Sequence, residues 1–269
     1  MSIYVALLAG CVLTMILGKF VLAELRKLKA GQEIRQDGPT WHMSKQGTPT
    51  MGGLMFIAAV VVVVLVLNGP AILAGDLTSV FVLLLALVFG LIGFVDDYAK
   101  IKKKENTGLT ASQKFLLQLV AAILFIVLLR QFGILSPNLY VPFFGVEWKL
   151  PWVVYMIFAA LVITGTVNAV NITDGVDGLA TGVTIPVMAF FTVVAIAAGR
   201  MNLALFPAAL LGGLGAFLTY NFHPAKAFMG DTGSLFLGGA VCGLAFALDV
   251  PLAVSYTHLR AHETPEHLV

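Results

Sequence analysis

Long apolar stretches alternate with short polar connections along most of the chain. Eight of these stretches are close to the length, about 20 residues, that a helix needs to cross about 30 Å of hydrocarbon. They cover residues 3–23, 52–68, 78–95, 113–132, 152–170, 179–198, 203–221 and 234–254. The first stretch has no basic segment before it and no convincing cleavage site, which favours a retained span over a signal peptide. The pattern predicts an all-α, polytopic transmembrane helical bundle.

Composition agrees with a protein embedded in the lipid bilayer. Hydrophobic residues make up 59% of the 269 residues and charged residues only 11%, whereas a soluble domain carries about 25% charged residues. Both cysteines, Cys11 and Cys242, lie inside apolar stretches, so neither a disulfide framework nor a thiolate metal site is expected. The sequence contains no internal repeat and no long linker, and it gives no reason to expect a nucleic-acid partner. One membrane domain is therefore predicted.

Basic residues are shared unevenly between the two alternating sets of connections. Eleven Lys and Arg residues lie in or beside connections 24–51, 96–112, 171–178 and 222–233. The other set has only three, which are Arg130, Lys149 and Arg200. Because cytoplasmic connections are enriched in Lys and Arg, the first set is predicted to face the cytoplasm and the N-terminus to face outward.

The outward connection 133–151 combines turn-forming residues with an alternating apolar and polar stretch. Prolines, a glycine and an asparagine come first, and the stretch itself reads Val146-Glu147-Trp148-Lys149-Leu150. The pattern predicts a short outward-facing hairpin whose tryptophan lies at the membrane interface.

The first two cytoplasmic connections carry candidate ligands for phosphate and for a cation. Residues 45–53 read KQGTPTMGG, in which glycines allow close backbone approach and Thr and Lys offer donors for phosphate oxygens. A simple turn and helix cap is the structural alternative. Asp96 and Asp97 follow the third span, and adjacent carboxylates repel one another unless a cation or a basic partner lies between them. Mg²⁺ prefers such oxygen ligands, and a solvated helix end is the alternative.

The next two cytoplasmic connections are similarly ambiguous when each is taken alone. The third contains Asn171, Asp174 and Asp177, and its two Asp-Gly steps could be ordinary turns. In the fourth, Asp231 directly precedes an apolar span, where it could cap the helix. The same helix start would also favour an anion or a metal-bound phosphate. Phe228 could stack on a base or dip into the membrane interface.

Taken together, the four connections place five aspartates on one face of the membrane. Carboxylates beside membrane-embedded helix ends are energetically expensive and tend to be functional. The five are Asp96, Asp97, Asp174, Asp177 and Asp231. The set predicts a site that binds phosphate groups together with a cation.

Four strings in these connections resemble the motifs of one enzyme family. They are KQGTPTMGG, GFVDDYAK, NAVNITDGVDGLA and NFHPAKAFMGDTGSL. Their sequences and order are similar to those of the polyprenyl-phosphate N-acetylhexosamine-1-phosphate transferases, and the resemblance extends over nearly the whole chain up to about residue 254. GTPTMGG together with PAKAFMGDTGS is most similar to the branch that makes lipid I.

The resemblance implies a fold of ten transmembrane helices in the bacterial inner membrane, with a Mg²⁺-dependent active site on the cytoplasmic face. It implies that undecaprenyl phosphate attacks the β-phosphorus of UDP-MurNAc-pentapeptide and that UMP is released. The family resemblance also suggests a homodimer.

The resemblance further implies roles for individual residues. Asp231 would be the Mg²⁺ ligand, and Asp96 would act on the lipid phosphate as a base or an orienting group, with Asp97 as the alternative. Direct attack by the lipid phosphate is favoured, and covalent catalysis by an aspartate is the rival mechanism. Phe228 would stack on uracil. The nucleotide and phosphate pocket would be lined by Lys45, Thr50, Lys100, Lys114, Asn171, Asp174, Asn221 and Phe228.

The end of the chain departs from the family pattern. The family continues with two more helices and a cytoplasmic loop that bears a histidine cluster, whereas residues 255–269 form a polar stretch that matches neither. Its three histidines are not expected to bind zinc, because Pro265 interrupts helical spacing. We therefore expect residues 1–254 to form an incomplete membrane transferase domain and residues 255–269 to be a non-native tail. The chain as written is expected to be weakly active or inactive.

Two other functions match parts of the pattern. A UDP-GlcNAc:undecaprenyl-phosphate GlcNAc-1-phosphate transferase would share the family motifs, but GTPTMGG and GDTGS argue against it. A membrane transporter should place ionisable residues near the midplane of its spans, whereas here they gather at one surface.

Overall fold

The computed structural model describes residues 2–28, 47–103, 107–141 and 146–252. Within these ranges the chain forms nine helices and one two-stranded sheet. The helices are α1 Ser2–Lys27, α2 Leu54–Leu67, α3 Gly69–Leu73, α4 Thr78–Lys103, α5 Ala111–Gln131, α6 Trp152–Thr173, α7 Leu179–Ala197, α8 Met201–Asn221 and α9 Gly230–Ala247. The strands are β1 Asn138–Val141 and β2 Val146–Lys149. The predicted all-α membrane bundle is confirmed.

Seven of the described helices are long and apolar enough to cross a membrane, namely α1 and α4 to α9. The stretch at 52–68, predicted as a full span, contains instead the 14-residue helix α2, which at 1.5 Å per residue is about 21 Å long. The shortening has two causes. The N–H groups of Gly52 and Gly53 donate to the carbonyls of Phe228 and Met229, so the helix begins later than predicted. At the other end, the chain turns at Asn68 into the short helix α3.

Helix α9 lies at the centre of the bundle. Every residue of α9 from Thr232 to Ala247 is buried, and α9 packs between α4 and α6. A β-carbon at Gly238 would be 2.7 Å from the Cα of Val167 on α6, and one at Gly239 would be 3.0 Å from the Cα of Ala86 on α4. Because lipid gives little hydrophobic force for helix association, such close backbone contact supplies much of the packing energy. The small residues of α9 therefore bring α4 and α6 to either side of it.

Different helix termini and connections lie at the two polar ends of the bundle. One end carries the C-terminal turns of α4, α6 and α8 and the N-terminal turns of α5, α7 and α9. The other end carries the predicted hairpin, which is confirmed: β1 and β2 pair antiparallel with Leu139 opposite Trp148. Beside it, the guanidinium carbon of Arg130 lies 4.0 Å from the centre of the Trp152 ring. The five aspartates singled out from the sequence all belong to the first end.

Candidate active site

Three carboxylates meet where α4 ends and α9 begins. Asp96 and Asp97 lie in the last two turns of α4, and Asp231 lies in the first turn of α9. One oxygen from each lies within 4.8 Å of the others, an arrangement that could hold a metal ion. The side chains of Asp96 and Asp97 are each 4% exposed and that of Asp231 is 18% exposed. The alternative of a solvated helix end is therefore wrong for the aspartate pair.

Two lysines compensate the negative charge of this cluster. The Lys100 ammonium lies 2.7 Å from Asp96 Oδ2 and 2.9 Å from Asp231 Oδ2. The Lys114 ammonium, from the first turn of α5, lies 2.8 Å from the same oxygen of Asp231. Buried like charges are strongly destabilising unless they are paired, so the two lysines allow the three carboxylates to share one small volume.

Asp96 and Asp97 have different partners although they are neighbours in sequence. Asp97 Oδ1 accepts from the N–H of Asp231 at 3.2 Å, and its Oδ2 accepts from the N–H and the hydroxyl of Thr232 at 2.8 and 2.7 Å. Asp97 thus satisfies the free N–H groups at the start of α9 from another helix. Asp231 makes no cap of its own helix, so the alternative of Asp231 as a structural cap is wrong.

Asp96 faces the lysines and the segment before α5. Its Oδ1 accepts from the N–H of Leu109 at 2.7 Å, and its Oδ2 is the oxygen that pairs with Lys100. A β-carbon at Gly108 would lie 2.4 Å from Asp96 Oδ1, so only a glycine lets the backbone approach this carboxylate. Asp96 therefore connects the end of α4 to the start of α5.

Residues at the end of α6 complete the surroundings of Asp231. Asn171 donates to Asp231 Oδ1 at 2.7 Å and to the Ser234 hydroxyl at 2.8 Å. The carboxylate of Asp174 accepts from the N–H of Gly230. Burial, reinforced by the nearby carboxylates of Asp231 and Asp97, raises the pKa of Asp174 well above its usual range.

The loop at 47–53 lies against the segment that leads into α9. The N–H of Phe228 donates to the carbonyl of Pro49 at 2.8 Å, and the N–H of Gly52 donates to the carbonyl of Phe228 at the same distance. A β-carbon at Gly230 would lie 2.8 Å from the Thr50 hydroxyl oxygen. Thr50 and Phe228 are therefore brought to the edge of the carboxylate cluster, and Phe228 remains partly exposed.

Asn221 has buried contacts of its own beside the segment that leads into α9, and its assignment to the substrate pocket stays a prediction. Its side chain is buried, accepts from the Thr181 hydroxyl at 2.8 Å and donates to the carbonyl of Ala227 at 3.1 Å. These contacts attach the connection between α8 and α9 to the first turn of α7. Asp177 acts on the same connection, since it accepts from the N–H of Ala225 and lies 3.0 Å from His223 Nδ1. Lys45 lies outside the described residues.

Several contributors to the site carried no obvious signal in the sequence. Thr232 and Ser234 were not assigned to the site from the sequence, yet one contacts Asp97 and the other contacts Asn171. The buried amide pair of Gln118 and Asn168 lies one turn deeper than Lys114 and Asn171. The sequence 110–113 could have marked the start of α5, because Thr110 and Gln113 form a capping box there.

Comparison with known proteins agrees with these motifs. Residues 78–249 match the family described as glycosyl transferase family 4, and residues 45–57 match signature 1 of the phospho-N-acetylmuramoyl-pentapeptide-transferases. A relative of that name from Heliobacterium modesticaldum is 46% identical over 89% of this chain and 73% of its own length.

Two further relatives carry the same name. The protein from Clostridium acetobutylicum is 44% identical over 88% of this chain and 73% of its own length. The protein from Staphylococcus aureus is 42% identical over 96% of this chain and 80% of its own length. The chain belongs to glycosyl transferase family 4 and, within it, to the phospho-N-acetylmuramoyl-pentapeptide-transferases.

Proposed function

We propose that this chain carries the active site of an enzyme that transfers phospho-N-acetylmuramoyl-pentapeptide from UDP-MurNAc-pentapeptide to undecaprenyl phosphate, which produces lipid I for peptidoglycan synthesis. An oxygen of the lipid phosphate forms a bond to the β-phosphorus. The bond from the β-phosphorus to the oxygen that bridges the two phosphates breaks, and UMP leaves with that oxygen. Support comes from the signature at 45–57, whose described part lies against the carboxylate cluster.

The single observation that carries the proposal is the meeting of three carboxylates with two lysines at a helix end of a membrane bundle. The reaction joins one anionic substrate from the membrane to another from water, so it needs cationic groups at the membrane boundary. Lys100 and Lys114 supply two ammonium groups for phosphate oxygens. A transporter would instead need its ionisable groups at the midplane.

The carboxylate cluster suits a magnesium ion by the chemistry of its oxygens, and its dimensions are close to those of a magnesium site. Mg²⁺ binds carboxylate oxygens at about 2.0–2.1 Å, so oxygens on opposite sides of one ion are about 4.2 Å apart. The three oxygens here lie within 4.8 Å. We propose Asp231 as the principal ligand, because its side chain is the most exposed of the three carboxylates. A bound Mg²⁺ would neutralise diphosphate charge and favour departure of UMP.

Asp96 is the residue that we assign to the lipid phosphate. Its Oδ2 points to the two lysines, at 2.7 Å from Lys100 and 3.9 Å from Lys114. A phosphate held by those lysines would lie beside this carboxylate, which could orient it or take its proton. Direct attack by the lipid phosphate remains our proposed route, because a phosphate oxyanion needs no covalent activation by the protein.

We propose that Asp97 acts by positioning Asp231. An asparagine at position 97 keeps one side-chain oxygen that can accept a hydrogen bond. Its amide N–H₂ group would face the N–H and hydroxyl donors of α9, so we expect Asp97→Asn to lower kcat about 10²-fold. Thr232→Val removes one of the three hydrogen bonds to Asp97, and we expect a loss of about tenfold. If Asp97 positions α9, the double variant is no worse than Asp97→Asn alone. Fully multiplicative losses would contradict this role.

The membrane orientation is also part of the proposal. Basic residues gather beside the carboxylate end of the bundle, which supports a cytoplasmic location for that end, where the nucleotide-sugar is available. The hairpin and the Arg130–Trp152 contact then face outward. For a bacterial enzyme this membrane is the inner membrane.

The substrate is tested by a direct competition between two nucleotide-sugars. Since this chain covers 80% of the length of the Staphylococcus aureus relative, we define a hybrid chain in which residues 1–252 are followed by the C-terminal segment of that relative. With undecaprenyl phosphate and Mg²⁺ we expect UMP release from UDP-MurNAc-pentapeptide at least about 10²-fold faster than from UDP-GlcNAc. Faster reaction with UDP-GlcNAc would assign the chain to the other branch of the family.

A further inference from the structure

A pair of amide side chains crosses from α5 to α6 inside the membrane part of the bundle. The Asn168 amide donates to Gln118 Oε1 at 2.6 Å and also to the carbonyl of Thr164 at 2.8 Å. Gln118 is fully buried and is the one polar residue among the buried residues of α5. An amide that loses its partner in an apolar environment is costly, so these two side chains keep the facing surfaces of α5 and α6 in one arrangement.

Lys114 lies one helical turn above Gln118 on the same face of α5, because residues four apart lie above one another. Asn171 lies on α6 about one turn above Asn168, and Lys114 donates to it at 3.4 Å. The pairs Lys114–Asn171 and Gln118–Asn168 therefore form two successive polar contacts between α5 and α6. We call the pair nearer Asp231 the upper pair and the other the lower pair. The upper pair hydrogen-bonds to Asp231 from both sides, whereas the side-chain hydrogen bonds of the lower pair join only α5 and α6 among the described residues.

Beyond Gln118, the buried side chains of α5 are all apolar, namely Ala122, Phe125, Ile126 and Leu129. Its outer surface is exposed over Phe115, Leu116, Leu117, Val120 and Leu124, and apolar side chains pack against α6 about as well as against lipid. Its N-terminal end is held by the bond from the Leu109 N–H to Asp96. Lys114 thus lies between two polar attachments, one at Leu109 and one at Gln118.

We infer that Gln118, through Asn168, is a positioning residue that holds Lys114 against Asp231. The catalytic role of Lys114 rests on the proposed function. The positioning of Lys114 by Gln118 rests on the geometry alone. Loss of the amide pair would let α5 rotate or slide along α6, and Lys114 on α5 would move away from Asp231 on α9.

The test measures the arrangement of α5 and α6 in the purified chain. Nitroxide labels are placed at the exposed residues Leu117 on α5 and Leu161 on α6, in a chain in which the accessible Cys11 is replaced by Ala. We expect Gln118→Leu to broaden the distance distribution between the labels, and we expect Gln118→Asn, which is too short to reach Asn168, to do the same. The matched control is Thr192→Val, because the Thr192 hydroxyl is buried and, among the described residues, its hydrogen bond lies within α7.

Rescue distinguishes positioning from general stability. The reciprocal exchange Gln118→Asn with Asn168→Gln keeps the number of methylene groups and both amides, and we expect it to restore the narrow distribution. In the hybrid chain, we expect Gln118→Leu to lower kcat about tenfold with little change in KM, and the exchange to recover most of that loss.

Two results would overturn the inference. One is a distance distribution for Gln118→Leu and Gln118→Asn that matches the unsubstituted protein. The other is an exchange variant as broad as the single variants, which would show that the amide pair does not set the arrangement. A hybrid chain with no turnover on UDP-MurNAc-pentapeptide would contradict the proposed function instead and would leave the distance result to decide this inference.

Discussion

Asp231→Asn in the hybrid chain is expected to reduce lipid I formation by at least about 10³-fold while the protein stays folded in the membrane. Asp231 lies where the other site residues converge: its carboxylate contacts Lys100, Lys114 and Asn171. An asparagine keeps the size of the side chain but removes the negative charge that would bind Mg²⁺ and hold both ammonium groups. Removing a principal electrostatic group from an active site costs about 10²–10³-fold or more, and a metal ligand contributes further.

The measurement is UMP release together with Mn²⁺ binding to the purified protein. Asp76→Asn is the matched control, because Asp76 lies at the opposite end of the bundle and also makes side-chain hydrogen bonds, with Asn202 and the N–H of Thr78. We expect that control to keep both activity and Mn²⁺ affinity. An Asp231→Asn variant with unchanged turnover would show that the metal assignment is wrong.

Gly93→Ala is expected to have the second largest effect, although Gly93 carries no functional group. A β-carbon at Gly93 would lie 2.1 Å from the carbonyl oxygen of Asp231 and 2.7 Å from the nitrogen of Thr232. Both are backbone atoms, so α4 and α9 must separate. That separation would weaken the hydrogen bonds from α9 to Asp97 and pull Asp231 away from Asp96. Overpacking of this kind costs about 1–3 kcal/mol of stability, and misplaced catalytic groups can cost about 10²-fold in rate.

Gly215→Ala provides the matched control for this substitution. Gly215 lies within α8, and a β-carbon there meets no atom within 4 Å. An alanine inside an exposed helix stabilises it by about 0.5–1 kcal/mol relative to glycine, so we expect unchanged or slightly higher thermal stability and unchanged turnover. Equal behaviour of Gly93→Ala and Gly215→Ala in both measurements would contradict the importance of the α4–α9 contact.

The site residues differ in how far the sequence could predict their places. Asp96, Asp231 and Lys114 are far apart in the chain, but the alternation of spans was sufficient to place them on the same membrane face. Sequence alone could not distinguish the roles of Asp96 and Asp97. The two side chains are neighbours at the end of α4 and point in different directions, and only the packing of α9 determines what each one meets. The structure resolves their contacts: Asp97 accepts from α9 and Asp96 faces the lysines.

Asn221 and α2 also have contacts with distant segments that the local sequence does not reveal. Asn221 belongs to a motif that resembles the family pattern, and its amide bonds to Thr181 and Ala227, which is a contact between elements that no local pattern encodes. The stretch at 52–68 is apolar enough for a span, but the partners of Gly52 and Gly53 lie in the segment before α9. Local hydropathy cannot reveal that a glycine pair is held by a segment more than 170 residues away in the sequence.

The sequence by itself determined the membrane bundle, the alternation of its two ends and the gathering of five aspartates at one of them, because apolar length and turn residues act locally along the chain. Only the tertiary structure decided which carboxylates share a site and what each one contacts. Those contacts depend on how closely α4, α5, α6 and α9 approach and how each is rotated. Glycines at Gly93, Gly238 and Gly239 permit the approach, and the bonds from Gln118 to Asn168 and from Thr232 to Asp97 fix the rotation.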